Sequence, residues 1–217
     1  DRAGGCHLSG TGASEGAVID IKYEKGDHRS MTKYFKLYDT PELKYAPRIM
    51  DLYGKLDIRD IQLKTYPKLP ERLVLFVEPS EKNIFTDIIL SPFLLVSPAV
   101  MEVIKMYKDI CFYREMILID QLQRKSQLYF LPVFDETSVL RAVEKEYENG
   151  MCISKPPEQY RERVAVSKNI FCVIDSSKRH TVISMELAES LIRRGIFGLG
   201  LKEVELYRIT EERSMPQ

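Results

Sequence analysis

The chain has 217 residues, 44% hydrophobic and 29% charged, which is ample length for a buried core without metal or disulfide staples. Lys+Arg and Asp+Glu both number 32, so no net field steers it toward nucleic acid or an anionic membrane. The longest charge-free apolar run, Ile88 to Met101, carries Pro92 and Pro98 and falls short of the ~20 residues that span a bilayer.

Residues 1–30 hold six of the eleven glycines and few apolar residues, a composition that disfavours a packed element. They read as a flexible leader, either appended or translated upstream sequence, with the folded body starting at Met31. Without the leader 28 basic and 27 acidic residues remain. The body is expected to be a single α+β domain over 31–217, with 150–166 as the joint if it divides into two lobes. Pro156, Pro157 and the polar run Glu158 to Arg163 mark that stretch as an exposed loop.

β-branched and aromatic runs between turn signals predict strands at Tyr34 to Tyr38, Leu73 to Glu78, Phe112 to Ile119, Gln127 to Phe134, Ile170 to Ile174 and Val204 to Ile209. Residues 98–108 predict a helix through the stripe Val100, Val103, Ile104 and Tyr107, and 136–148 predict another through Val139, Leu140, Val143 and Tyr147. Glu144, Glu146 and Glu148 then form a solvated face near that helix's end. The clearest helix spans Met185 to Arg194, with Ser184 as N-cap, arginines in the last turn and Gly195 as the stop.

Leu95 to Ile104 aligns with Val182 to Leu191. In each, a short apolar strand ends at a capping serine, Ser97 or Ser184, and a glutamate follows five positions on. These are two strand-cap-helix units, although any two capped helices after strands share that outline. Strands and helices mix irregularly, which points to α+β with a mixed, largely antiparallel sheet and packed helices.

Chemistry-bearing motifs are scarce. Cys6, Cys111, Cys152 and Cys172 are scattered without a C-x-x-C pair, the pattern of reduced thiols in a cytoplasmic protein. His180, the only histidine of the body, sits in Asp175-Ser-Ser-Lys-Arg-His180 and reads as a hairpin tip. Gly195-Ile-Phe-Gly198-Leu-Gly200 follows a helix, whereas phosphate loops precede one; it reads as a C-cap and a turn into the last strand. No catalytic, cofactor-binding or metal-binding residue is assigned, and no cofactor is expected. Asp51, Asp57 and Asp60 alternate with Leu52, Leu56, Ile58 and Ile61, which makes them the wet side of an amphipathic segment. With Tyr53 they are the candidate partner-binding residues, tyrosine being suited to interfaces.

The two serine-capped units, the ending Ala188-Glu-Ser-Leu-Ile-Arg-Arg-Gly195 before a closing strand, and the opening Met31-Thr-Lys-Tyr-Phe-Lys-Leu-Tyr38 resemble the immunity-protein-eleven-like family of bacterial polymorphic toxin systems. The extra Leu199-Gly200 departs from that family's final turn. The resemblance covers 31–217 and implies a cytoplasmic protein that neutralises a cognate toxin domain by protein contact, without enzymatic activity. It carries over no binding residues. A carboxylate-dependent enzyme and a regulatory or scaffolding domain are the alternatives, and the oligomeric state is unassigned.

Overall fold

The computed structural model describes residues 32–40, 45–149, 151–152, 160–175 and 178–209; the leader and the proline-bearing stretch 153–159 lie outside the described residues. The strands are β1 (Tyr34–Leu37), β2 (Arg72–Phe76), β3 (Ile88–Ile89), β4 (Leu95–Val96), β5 (Phe112–Asp120), β6 (Lys125–Val133), β7 (Glu136–Thr137), β8 (Leu140–Glu144), β9 (Tyr147–Glu148), β10 (Met151–Cys152), β11 (Tyr160–Arg163), β12 (Ile170–Asp175), β13 (Lys178–Ser184) and β14 (Leu201–Ile209); the helices are α1 (Pro98–Tyr107) and α2 (Met185–Arg193). The architecture is α+β with largely antiparallel sheets. Among the described residues only β2–β5 and β7–β12 pair in parallel.

One sheet curls into a ring. β14 takes β1 and β11 along one edge and β8 along the other, while β1 pairs β13, β13 pairs β12 and β12 pairs β7. Because β7 and β8 are separated by only two residues, that strand meets β12 at its start and β14 at its end. Side chains alternate across a strand, so the ring has an inside and an outside. Tyr34, Leu140, Phe171, Val173, Val182, Val204 and Leu206 fill the inside. Leu37, Ile170 and Ile183, on the outside, pack against α1 and α2.

The second sheet runs β2-β5-β6-β4-β3. Val96 and Phe130 face the helices, whereas Leu95, Met116, Leu118, Tyr129 and Leu131 face a second core closed by the irregular segment 45–71 through Ile61 and Leu69. The two helices therefore lie between the two sheets.

Both serine caps form as expected: Ser97 accepts from the Val100 amide at 3.4 Å and Ser184 from the Leu187 amide at 3.3 Å. Gly195, at φ +65°, closes α2. Its amide donates to Ile192 at 2.9 Å and that of Ile196 to Leu191 at 3.3 Å, which together form the paired Schellman closure.

The predicted helix over 136–148 is instead β7, β8 and part of the β9–β10 hairpin. Val139, Leu140 and Val143 fit a helical stripe, yet Leu140 and Ala142 turn into the ring and the backbone pairs with β14 from Leu140↔Arg208 to Glu144↔Val204. Glu144 is correspondingly not a solvated helix residue, because Lys36 and Lys202 both bind it.

Asp135 ties the end of α1 to the ring, accepting from Lys108 at 2.9 Å with Lys168 at 3.1 Å. Burial pushes its carboxyl up, and the two lysines outweigh that, leaving it below the ordinary aspartate value. A lowered folded pKa contributes stability above the unfolded pKa of ~3.9, and that contribution is lost as pH falls through the folded value. Asp135→Asn should therefore cost about 1–3 kcal/mol at pH 7, with the gap to the parent closing below about pH 4 in denaturant unfolding. A gap that stays constant with pH would refute the ion-pair origin. No helix among the described residues is long and apolar enough to cross a membrane.

Candidate functional site

The four partner-binding candidates lie on segment 45–71. Leu52, Leu56 and Ile61 pack on the second core as the apolar side, which leaves the intervening residues outward. Leu52 accepts from the Lys55 and Leu56 amides at 3.1 and 3.2 Å, and Gly54 at φ +74° makes the tight turn between them. Tyr53 stands on that turn with its side chain wholly exposed, 102%. Met50, close before it, is 62% exposed.

The carboxylates are less available than their spacing suggests. Asp51 accepts from the Phe76 amide at 2.8 Å and binds Lys55. Lys55 in turn donates to the Val74 carbonyl at 3.2 Å, and the Met50 amide bonds the Phe76 carbonyl at 3.0 Å. β2 is an edge strand, and an uncovered edge invites pairing with another chain; Asp51 and Lys55 cover it. Burial raises the Asp51 carboxyl, while Lys55 and the Phe76 amide pull it lower still, to a net depression. Asp51→Ala should cost about 1–2 kcal/mol and raise concentration-dependent association in light scattering. Unchanged melting and scattering would contradict the edge-cover role.

Asp57 caps the short 3-10 turn Ile58–Asp60 and clasps Arg59 at 2.6 Å. The Arg59 side chain and amide bring its carboxyl down to about 2. Asp60 is half-buried, and its carbonyl accepts from Thr65 Oγ1 at 2.9 Å. With Asp51 and Asp57 both matched by neighbouring cations, the segment presents little unbalanced charge, and Tyr53 is its most prominent feature.

A second feature was not legible in the sequence. Between the ring and the five-stranded sheet opens a cleft of about 920 Å³, bordered by Leu37, Asp39, Ile61, Phe93, Val133 and Ile174 among others. At its polar end Glu136 lies 2.8 Å from Arg179, whose Nη1 also donates to the Ile58 carbonyl at 3.1 Å. Burial raises the Glu136 carboxyl, and Arg179 opposes that rise. Asp39, at the rim, is likewise raised by loss of water. Cys172 and Thr181 face each other on adjacent strands, Sγ to Oγ1 3.9 Å. Burial pushes the Cys172 thiol up to about 12, so it is protonated and a poor nucleophile at neutral pH.

His180 is not at a hairpin tip. β12 and β13 pair from Asp175↔Lys178 onward, which sets His180 opposite Val173 inside the ladder. Alternation along β13 turns Arg179 and Thr181 toward the cleft and the His180 side chain to the ring face that carries Val182, while His180 also borders the cleft. Burial and then nearby Lys36 lower its imidazole pKa. Among the described residues no three His, Cys, Asp or Glu groups converge to hold a metal ion.

Compared with known proteins, the chain matches no family model, no curated protein and no solved structure.

Proposed function

We propose that this chain is an immunity-type binding protein, acting in the bacterial cytoplasm, that neutralises a cognate toxin domain by protein contact and performs no catalysis itself. The reading takes the partner class from the resemblance carried by the serine-capped units and the ending Ala188 to Gly195. The observation that carries it is Tyr53, fully exposed on a turn that Gly54, the Asp51–Lys55 pair and the β2 edge hold in place. A rigid aromatic with a polar tip offers large contact area at low entropic cost, and such residues dominate interface energetics. Asp51, Asp57 and Asp60, on the same segment 45–71, are the accompanying candidates. A specific interface of ordinary size, about 1,600 Å² in total, would extend well beyond this turn.

Tyr53→Ala should weaken toxin binding about 10- to 100-fold, or ~1.4–2.7 kcal/mol, with the melting temperature unchanged because the side chain touches no core. Titration calorimetry against a toxin domain encoded by an adjacent gene, which the proposal requires, measures it. An unchanged affinity would remove Tyr53 from the interface.

A carboxylate-dependent enzyme is the second reading, favoured by Asp39 and Glu136 at one cleft, both with raised carboxyls. Arg179 beside Glu136 weighs against it, since a salt-bridged carboxylate is a weakened general base.

A further inference from the structure

Tyr53 does not border the cleft between the ring and the five-stranded sheet, although segment 45–71 contributes Ile58, Arg59, Ile61 and Gln62 to its wall. Its volume of about 920 Å³ lies at the upper end of the ~300–1,000 Å³ typical of small-molecule sites. The composition follows the same pattern, apolar walls with a few convergent polar groups. Phe93, Leu131 and Val133 come from the five-stranded sheet and the loop beside it, whereas Leu37 and Ile174 come from the ring. Polar groups gather at the ring end, on the paired strands β12 and β13 and the adjoining β7, as Cys172, Thr181, Arg179 and Glu136.

These groups select by charge. Glu136 and Arg179 cancel each other at 2.8 Å while keeping 17% and 26% of their side chains accessible, so a ligand meets an acceptor and a donor side by side with no net charge. Asp39, Arg59 and Lys178 also border the cleft, but all three are exposed to solvent and Arg59 is bound to Asp57. An ion seated at the Glu136–Arg179 end would shed its water against apolar walls where each counter-charge is already neutralised by the other. A planar group that both donates and accepts satisfies both partners and brings no charge to desolvate. The Cys172 thiol and the Thr181 hydroxyl add two weak, neutral contacts beside the pair.

We infer that the cleft binds a small, uncharged, largely apolar molecule bearing one carboxamide-like donor–acceptor group, with that group seated on the Glu136–Arg179 pair. The inference stands independently of the toxin-binding reading.

Ligand-detected NMR on the full chain tests it, using benzamide and phenylacetamide as neutral probes against benzoate and benzylamine as charged counterparts of similar size. At least one amide should bind saturably and at least tenfold more tightly than either ion. Glu136→Gln leaves Arg179 unbalanced and should move the preference to benzoate; Arg179→Gln should move it to benzylamine. Gln62→Trp, on the cleft wall contributed by segment 45–71, should lower amide affinity at least tenfold by filling the space. That substitution spares the ion pair, so its thermal melt identifies a folded protein in case the pair variants misfold. Absence of saturable amide binding, equal binding of all four probes, or amide binding unaffected in folded Gln62→Trp would overturn the inference.

Discussion

Gly200→Ala is expected to lower the melting temperature by about 10 °C or more, or to leave no folded protein. A Cβ at this position would stand 2.2 Å from the Tyr38 carbonyl oxygen and 2.8 Å from Thr40 Cγ2. The first obstacle is backbone, and it cannot rotate away. The Tyr38 amide donates to the Gly200 carbonyl at 3.1 Å, directly beyond the β1–β14 register that ends at Leu37↔Leu201, so relief of the clash would prise open the ring where it begins. A cost above about 4 kcal/mol is of the exceptional class reserved for such overpacking, and for a chain of this size each kcal/mol moves the midpoint by ~2–4 °C. Gly54→Ala is the control. Gly54 has positive φ, but nothing lies within 4 Å of the place a methyl group would occupy, so only the backbone penalty of ~1–2 kcal/mol applies. Gly200 has no positive φ, so a loss no larger than that of Gly54→Ala would contradict the close approach at Tyr38 as the cause.

Leu187→Ala should cost about 2–5 kcal/mol. Leu187 is 0% exposed and belongs to the cluster that joins Leu37, Ile170 and Ile183 of the ring to Ile88 and Val96 of the second sheet through α1 and α2. A cavity there weakens both layers together, because packed interiors relax only partly around a deletion. The variant should therefore melt in one transition by circular dichroism and by intrinsic tyrosine fluorescence alike. Two separated transitions would mean that the layers are stabilised independently.

What the sequence made legible follows from how local each signal is. α2 carried its own start, stripe and stop in Ser184, Leu187, Leu191 and Gly195, and it formed as expected. Long strands such as β5 and β14 announced themselves by β-branched and aromatic content. The segment 136–148 misled because a helical spacing of Val139, Leu140 and Val143 coexists with an alternation of Leu140 and Ala142 that only β14, far along the chain, makes decisive. Asp51 was legible as polar and outward, but its place on the Phe76 amide required knowing that β2 is an edge. The cleft left no trace at all: Ile61, Phe93, Val133 and Ile174 come from four separated stretches, and Glu136 meets Arg179 only because β7 and β13 pair with β12 on its two sides.

Recognition of a toxin through the Tyr53 turn is tested most directly by survival. If an adjacent gene encodes a toxin domain, as the proposed function requires, bacteria expressing that domain should grow when the parent protein is co-expressed and should lose most of that protection with Tyr53→Ala at equal protein level. Equal killing with and without the parent protein would contradict the proposed function.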